Sequence, residues 1–258
     1  MRLTFLGTGT SFGIPQIGCG CAVCHSTDRR DRRTRVGALV ETDAGRRILL
    51  DTPPELRLQL VAAGVDGVDA VLFTHDHADH VHGIDDVRAF TARSREPLVM
   101  YGSEATVASL GRKFPYIFDD RIRPLPGTSK PEGRLAPLAE GAAAEIAGEL
   151  VTPVSVPHGL ATVFGYRIGP LAYVTDAKTI PDAALEVLRG ARTLVVNALF
   201  PTPHPTHLSI PEAVAVAERV GAGMTYLTHL THRTSHAELE ATLPPHVRPA
   251  YDGLTVEV

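Results

Sequence analysis

His75, His77, Asp79 and His80 crowd one short stretch of chain, directly behind the apolar run Asp69–Thr74. The run reads as a buried strand, so the cluster sits where a strand ends and a helix begins. Imidazoles and carboxylates suit zinc, and ligands this dense can serve two adjacent metals. A metal pair points in turn to hydrolysis by a bridging hydroxide that the cations make available. Further ligand-type residues end other apolar runs: Asp51 after Ile48–Leu50, His158 after Val151–Val156, Asp176 after Leu171–Thr175 and His229 after Met224–Thr228. A strand end on a rigid sheet can aim a side chain at a shared edge. One strand-end histidine alone is weak evidence; four such ends beside the central cluster predict a metal site.

The cysteines form a second constellation. All three fall in Cys19-Gly20-Cys21-Ala22-Val23-Cys24. An odd number crowded into one loop argues against a disulfide framework, and metal binding is the better reading. The alternative, reduced thiols in a free loop, would be an oxidation liability. Arg29, Arg30, Arg32, Arg33 and Arg35 follow as a basic run. They read either as a solvated connection or as one or two guanidiniums holding substrate phosphate. Gly7-Thr8-Gly9-Thr10 lacks the lysine and the spacing of a phosphate loop.

The elements that must position these groups are legible from pattern. Strand-like runs recur at Leu3–Leu6, Ala38–Thr42, Arg47–Leu50, Ala70–Thr74, Leu98–Tyr101, Val151–Val156, Gly165–Ile168, Leu171–Thr175, Thr193–Ala198, Met224–Thr228 and Leu254–Val258. Ser209 with Glu212 is a capping box opening a helix that Gly221 closes, and Ser235 with Glu238 repeats the device. Pro181 opens a shorter helix that Gly190 would end. The sum is a layered α/β protein. The 258 residues are expected to form a single domain, with Pro115–Ala147, rich in Pro, Gly and Ala, as a surface excursion or lid. No run is long enough to span a membrane, and the opening residues read as a strand, so a cytoplasmic location is expected. A net charge of −4 argues against a general nucleic-acid binder but admits a single phosphodiester.

The spacing His75-x-His77-x-Asp79-His80, with the strand-end residues above, resembles the metallo-β-lactamase superfamily over nearly the whole chain. Within it the chain looks most like the phosphodiesterase of the bacterial carbon–phosphorus lyase (phosphonate) pathway. The resemblance implies an αββα sandwich of two mixed sheets flanked by helices, with metals at one edge. It implies one zinc or manganese on His75, His77 and His158, a second on Asp79, His80 and His229, and Asp176 bridging them. Asp51 would orient ligand histidines rather than bind metal, although a plain strand-end turn before Pro53-Pro54 is the other reading. Cys19, Cys21, Cys24 and His232 would hold one structural zinc. His207, at the start of the capped helix, and Asp79 are the candidate catalytic residues, with His204 the rival of His207. His25, His82, His236 and His246 have no assigned role.

The expected function is metal-dependent hydrolysis of a small cyclic or nucleotide phosphodiester, in a homodimer as relatives suggest. Alternatives on the same scaffold are a thioesterase, lactonase or β-lactamase, a ribonuclease Z-like tRNA 3′-processing nuclease, and a non-hydrolytic cofactor-biosynthesis protein with a similar cysteine loop. A pure metal-binding module is the non-enzyme alternative. Nucleic acid is a possible partner but not the favoured one, and the substrate and the choice of zinc or manganese stay open.

Overall fold

The structure, a computed structural model, describes residues 1–258. Two seven-stranded sheets lie face to face. The first contains β1 (Arg2–Gly7), β2 (Gly37–Glu41), β3 (Arg47–Leu50), β4 (Ala70–Leu72), β5 (Leu98–Gly102) and β6 (Gly133–Pro137), with the last strand, β14 (Thr255–Glu257), pairing on β1. The second contains β7 (Ala144–Ile146), β8 (Glu149–His158), β9 (Ala161–Ile168), β10 (Leu171–Val174), β11 (Thr193–Asn197), β12 (Met224–Thr228) and β13 (Val247–Pro249), in sequence order from edge to edge. Both sheets are mixed. β3 to β6 run parallel while β14, β1, β2 and β3 alternate in direction. β10 to β13 run parallel while β7 to β10 alternate.

Period-two alternation decides which side chain enters which layer. Ile48 and Leu50 point into the space between the sheets, where they meet Tyr166, Ile168, Tyr173 and Val195 from the opposite sheet. Leu49, Val71, Phe73 and Met100 point the other way, toward α1 (Leu56–Ala62), α2 (Ala78–Val81) and α4 (Glu104–Lys113). α3 (Arg88–Ser94) adds Phe90 to that layer, and α5 (Pro115–Phe118) adds Ile117. On the far side, Ala172, Val174, Leu194 and Val196 pack against α6 (Asp182–Leu188), α7 (Ile210–Val220) and α8 (His236–Thr242). The result is the expected αββα sandwich. The capping boxes at Ser209–Glu212 and Ser235–Glu238 are both formed, and Gly221 ends α7 in the left-handed conformation at φ 70°.

The segment Pro115–Ala147 does more than the expected excursion or lid. It supplies α5, then β6 at the edge of one sheet and β7 at the edge of the other, so it carries the chain between the layers. Only the stretch 119–132 between α5 and β6 is a largely exposed loop. Edge strands pair on one side, so β6, β7 and β13 can be short and need no strong apolar alternation, and pattern alone does not mark them. No helix is long and apolar enough to cross a membrane.

Candidate metal centre

The parallel strands of both sheets deliver their C-terminal ends to one edge. Asp51 follows β3, His75 lies just beyond β4, Asp176 just beyond β10 and His229 directly after β12. His158 closes β8 from the antiparallel half, and His77, Asp79 and His80 lie on the turn into α2. Backbone strain marks the same positions. Five non-glycine residues have positive φ, and Asp51, Asp176 and His229 are among them, at 62°, 60° and 56°. A left-handed conformation costs a non-glycine residue about 1 kcal/mol or more, and such strain concentrates at functional sites.

Asp176 lies at the centre of the cluster. Its Oδ1 is 3.5 Å from His80 Nε2 and 3.4 Å from His229 Nε2. Its Oδ2 is 3.9 Å from both His75 Nε2 and His158 Nε2. Each carboxylate oxygen therefore faces a different group of imidazoles. Asp79 Oδ2 completes one group, 3.5 Å from His80 Nε2 and 4.0 Å from His229 Nε2. His77 completes the other, its ring centroid 4.4 Å from that of His75 and 5.2 Å from that of His158. His75, His77 and His158 form one compact group that could hold a cation, and Asp79, His80 and His229 another. His207 joins them: its Nε2 is 3.2 Å from Asp176 Oδ2, and with His158 and Asp176 it forms a further compact group.

The side chains present fit cations. His75 Nε2, His80 Nε2 and both ring nitrogens of His229 are buried without any hydrogen-bond partner. An unpaired buried polar atom costs about 1–3 kcal/mol, and here several converge on a carboxylate that a cation would satisfy together with them. Burial, reinforced by neighbouring imidazoles, holds His75 well below its ordinary value, and burial lowers His158 and brings His229 down to about 4. Neutral imidazole is the ligating form. Burial opposes charge on Asp176 too, but His229 and His80 outweigh it and keep the carboxyl well below the usual range. For His80 the balance runs the other way. Burial is outweighed by Asp176 and Asp51, which raise it, and a cation at Nε2 would compete with that proton.

Supporting groups fix the rings. Asp51 is fully buried; Thr74 donates to it from N–H and from Oγ1, both at 2.8 Å, and His80 Nδ1 lies 2.8 Å from Oδ2. His158 Nδ1 donates to the Thr206 carbonyl at 3.0 Å, which leaves Nε2 free for the cluster. Asn197, at the end of β11, accepts from Ala177 N–H at 2.8 Å and donates to Ala177 O, pinning the turn behind Asp176. Lys113 and Ser109 of α4 hold Asp76, the residue between His75 and His77. Asn197, Thr74, Thr206 and Lys113 carry no signal in the sequence, because each works on backbone or on neighbours that only the tertiary fold brings near. His204, the rival of His207, stands further out. Its ring is 5.5 Å from His207, and its Nδ1 is 3.2 Å from Thr206 Oγ1.

Cys19, Cys21, Cys24 and His232 lie together as a second candidate group. Cys19, Cys21 and Cys24 place their sulfurs 3.3, 3.6 and 3.5 Å from His232 Nδ1. A tetrahedron with Zn–S of about 2.3 Å and Zn–N of about 2.0 Å has S···N edges near 3.5 Å. Gln16 N–H donates to Cys24 Sγ at 3.3 Å and Cys24 N–H to Cys21 Sγ at 3.4 Å. The four residues fit a single tetrahedral cation.

The arginine run fits neither sequence reading as a whole. Arg29 and Arg32 are exposed, Arg30 pairs with Asp28 and Glu240, and Arg35 pairs with Glu55. Arg33 is fully buried: it donates to the carbonyls of Thr231 and Thr234 and pairs with Asp31 at 3.2 Å. It thus clamps the loop that follows His229 and carries His232. Gly7 and Gly9 serve this packing, since a Cβ on them would lie 2.0 Å from Arg35 O and 2.5 Å from Arg33 O. A groove of about 610 Å³ beside β1 and α1, lined by Leu58, Gln59 and Asp252, touches none of the clustered histidines or carboxylates of the two groups.

Residues 46–230 match the family described as the Beta-lactamase superfamily domain. A crystal structure of a new diphosphatase from the PhnP family is 40% identical, with a TM-score of 0.90 over 100% of this chain and 97% of that one. A protein of Porphyromonas gingivalis named octanoyltransferase is 40% identical over 256 residues, 98% of this chain. The chain spans about half the length of that relative, 51%. A ribonuclease Z of Mycobacterium sp. (strain KMS) is 30% identical over 89% of this chain and 84% of its own length.

Proposed function

Because the chain belongs to the β-lactamase superfamily and is a PhnP-like, metallo-β-lactamase-fold hydrolase, we propose that it cleaves a phosphodiester or diphosphate bond with the help of two divalent cations. The observation that carries the reading is Asp176, whose two oxygens face two separate ligand sets while His207 sits against one of them. His75, His77 and His158 would hold one cation, Asp79, His80 and His229 the other, and Asp176 both. Zinc or manganese suits these nitrogen and carboxylate donors, and Cys19, Cys21, Cys24 and His232 would hold a third, structural zinc. Bound there, the paired cations supply Lewis acidity toward phosphoryl oxygens and hydroxide near neutral pH.

The chain's own groups do the rest. Asp51 keeps a proton on His80 Nδ1, and the Thr206 carbonyl keeps one on His158 Nδ1, so both rings present Nε2 to the site. His207, anchored through Nδ1 to Thr206 Oγ1 at 2.8 Å, points Nε2 into the same space, 3.2 Å from Asp176 Oδ2. There it would protonate the departing oxygen, a role open to an imidazole near neutral pH. His77 is the exposed ligand, so substrate would enter on its side.

The test is hydrolysis of bis(p-nitrophenyl) phosphate and of a p-nitrophenyl thioester by protein purified without chelator and supplied with zinc or manganese. Phosphodiester turnover that EDTA abolishes supports the reading, and thioester turnover alone overturns it. The acyl transfer in the name of the Porphyromonas relative belongs to a protein about twice as long. Ribonuclease Z activity is a second reading, favoured by the mycobacterial relative. Its natural site of contact would be the exposed loop 119–132 with Arg121, Arg123 and Lys130, although Arg121 is already paired with Asp119. Cleavage of precursor tRNA decides it.

A further inference from the structure

His232 serves two neighbourhoods. Its Nδ1 closes the cysteine cluster, and the residue also lines a pocket of about 300 Å³ with Thr10, Phe12, Ile14, Phe200 and Arg233. Phe12 is 66% exposed, and of the eight phenylalanines it is the one the fold leaves in solvent. Phe200 is half-buried in the same lining. Arg233 is exposed and its guanidinium enters no ion pair, while the arginines at 30, 33 and 35 are all engaged. The pocket therefore offers flat apolar faces and one uncommitted cation.

Its position ties it to the metal centre. A row of rings runs from the pocket inward: Phe200 lies 5.5 Å from His204, His204 lies 5.5 Å from His207, and His207 touches Asp176. Thr231, another lining residue, stands two positions beyond His229. The wall is also tied down by hydrogen bonds. Ile14 and Arg33 exchange backbone hydrogen bonds at 2.8 and 2.9 Å, and Gln16 N–H is bound to Cys24 Sγ. A hydrogen-bonded wall that presents an exposed aromatic face suits a stacking partner.

We infer that this pocket receives the base of a nucleotide, so that the substrate is a nucleoside-bearing phosphodiester or diphosphate rather than a cyclic sugar phosphate. The inference rests on the phosphodiesterase reading above. Every nucleobase has a π-face for Phe12 and Phe200, and Arg233 adds a donor for an anionic or carbonyl group of the same ligand. A cyclic sugar phosphate has no flat group and would leave the aromatic faces uncovered.

Two esters that release the same nitrophenolate separate the possibilities: thymidine 5′-(p-nitrophenyl phosphate) and methyl p-nitrophenyl phosphate. The expected wild-type kcat/KM favours the thymidine ester by about tenfold or more, and Phe12→Ala cuts that ratio by about tenfold, the size of one base–ring stack. Calorimetric titration gives a readout independent of turnover. ADP should bind at least tenfold more tightly than ribose 5-phosphate, and Phe12→Ala and Arg233→Ala should each narrow the gap. Equal kcat/KM for the two esters, or a ratio and an ADP affinity that Phe12→Ala leaves unmoved, overturns the pocket while leaving hydrolysis standing. Failure to turn over either ester with metals supplied overturns the phosphodiesterase reading instead, and the ADP titration still decides the pocket.

Discussion

His80 and Asp51 meet in full burial, with ring Nδ1 2.8 Å from carboxylate Oδ2. Asp51 also takes both donors of Thr74, so it joins the end of β4 to the turn that carries His77, Asp79 and His80. The contact settles which nitrogen of His80 faces the cluster: a proton held on Nδ1 leaves the Nε2 lone pair for a cation.

Asp51→Asn should therefore weaken cation binding at Asp79, His80 and His229 by about 10–100-fold. The amide keeps the left-handed backbone at φ 62°, which Asn tolerates, so the fold should survive. With an NH₂ facing Nδ1, His80 would shift its proton to Nε2, the nitrogen aimed at the cluster. A chelator titration of wild type and variant checks this; coincident midpoints would sink it.

Replacing His207 by Ala should leave about three metals per chain and lower phosphodiester turnover by about two decades or more. The loss should be greatest for esters with poor leaving groups, which need the proton most. Full activity on such an ester would remove His207 from its assigned role.

Cys21→Ser should lower metal content by one per chain, from about three to two. Cys19, Cys24 and His232 cannot close a tetrahedron alone, and a serine hydroxyl is a poor substitute for thiolate. The N-terminal loop should then loosen, with earlier thermal unfolding and faster proteolysis between β1 and β2. An unchanged metal count by elemental analysis contradicts the closed site.

Arg33→Met keeps the bulk and deletes the charge, and it should cost about 3–5 kcal/mol in urea unfolding. Asp31 would be left buried without its cation, and the carbonyls of Thr231 and Thr234 would lose their donors. A loss below about 1 kcal/mol would show that the clamp is dispensable.

Much of the candidate set was legible because Asp51, His75, His158, Asp176 and His229 each close an apolar run, as Asp176 does after Leu171–Thr175. The cysteine loop was legible because three thiols in six residues have few other uses. What escaped was support that sequence spacing cannot encode. Arg33 reads as one of a surface run until Ile14 and the loop after β12 close around it. Asn197 reads as an ordinary strand end until Ala177 is laid beside it. The sandwich was expected from the resemblance, but its order was not: β14 pairs on β1 across the whole chain length, and the short β6, β7 and β13 carry no strong pattern.

Asp252 gives a pH dependence of stability separate from the metals. Burial raises its carboxyl to about 6, even though Thr34 and Thr8 donate to it. The unfolded chain should titrate near the ordinary value of about 3.9. A raised acid pKa means that the folded state holds the proton more tightly, so the contribution is complete below about pH 4 and is lost as pH rises through about 6. The full loss is at most about 3 kcal/mol. Asp252→Asn removes the titration and keeps an acceptor for Thr34. The variant should gain on wild type as pH rises from 4 to 7 in urea unfolding, and a constant difference across that range would assign the pH dependence elsewhere.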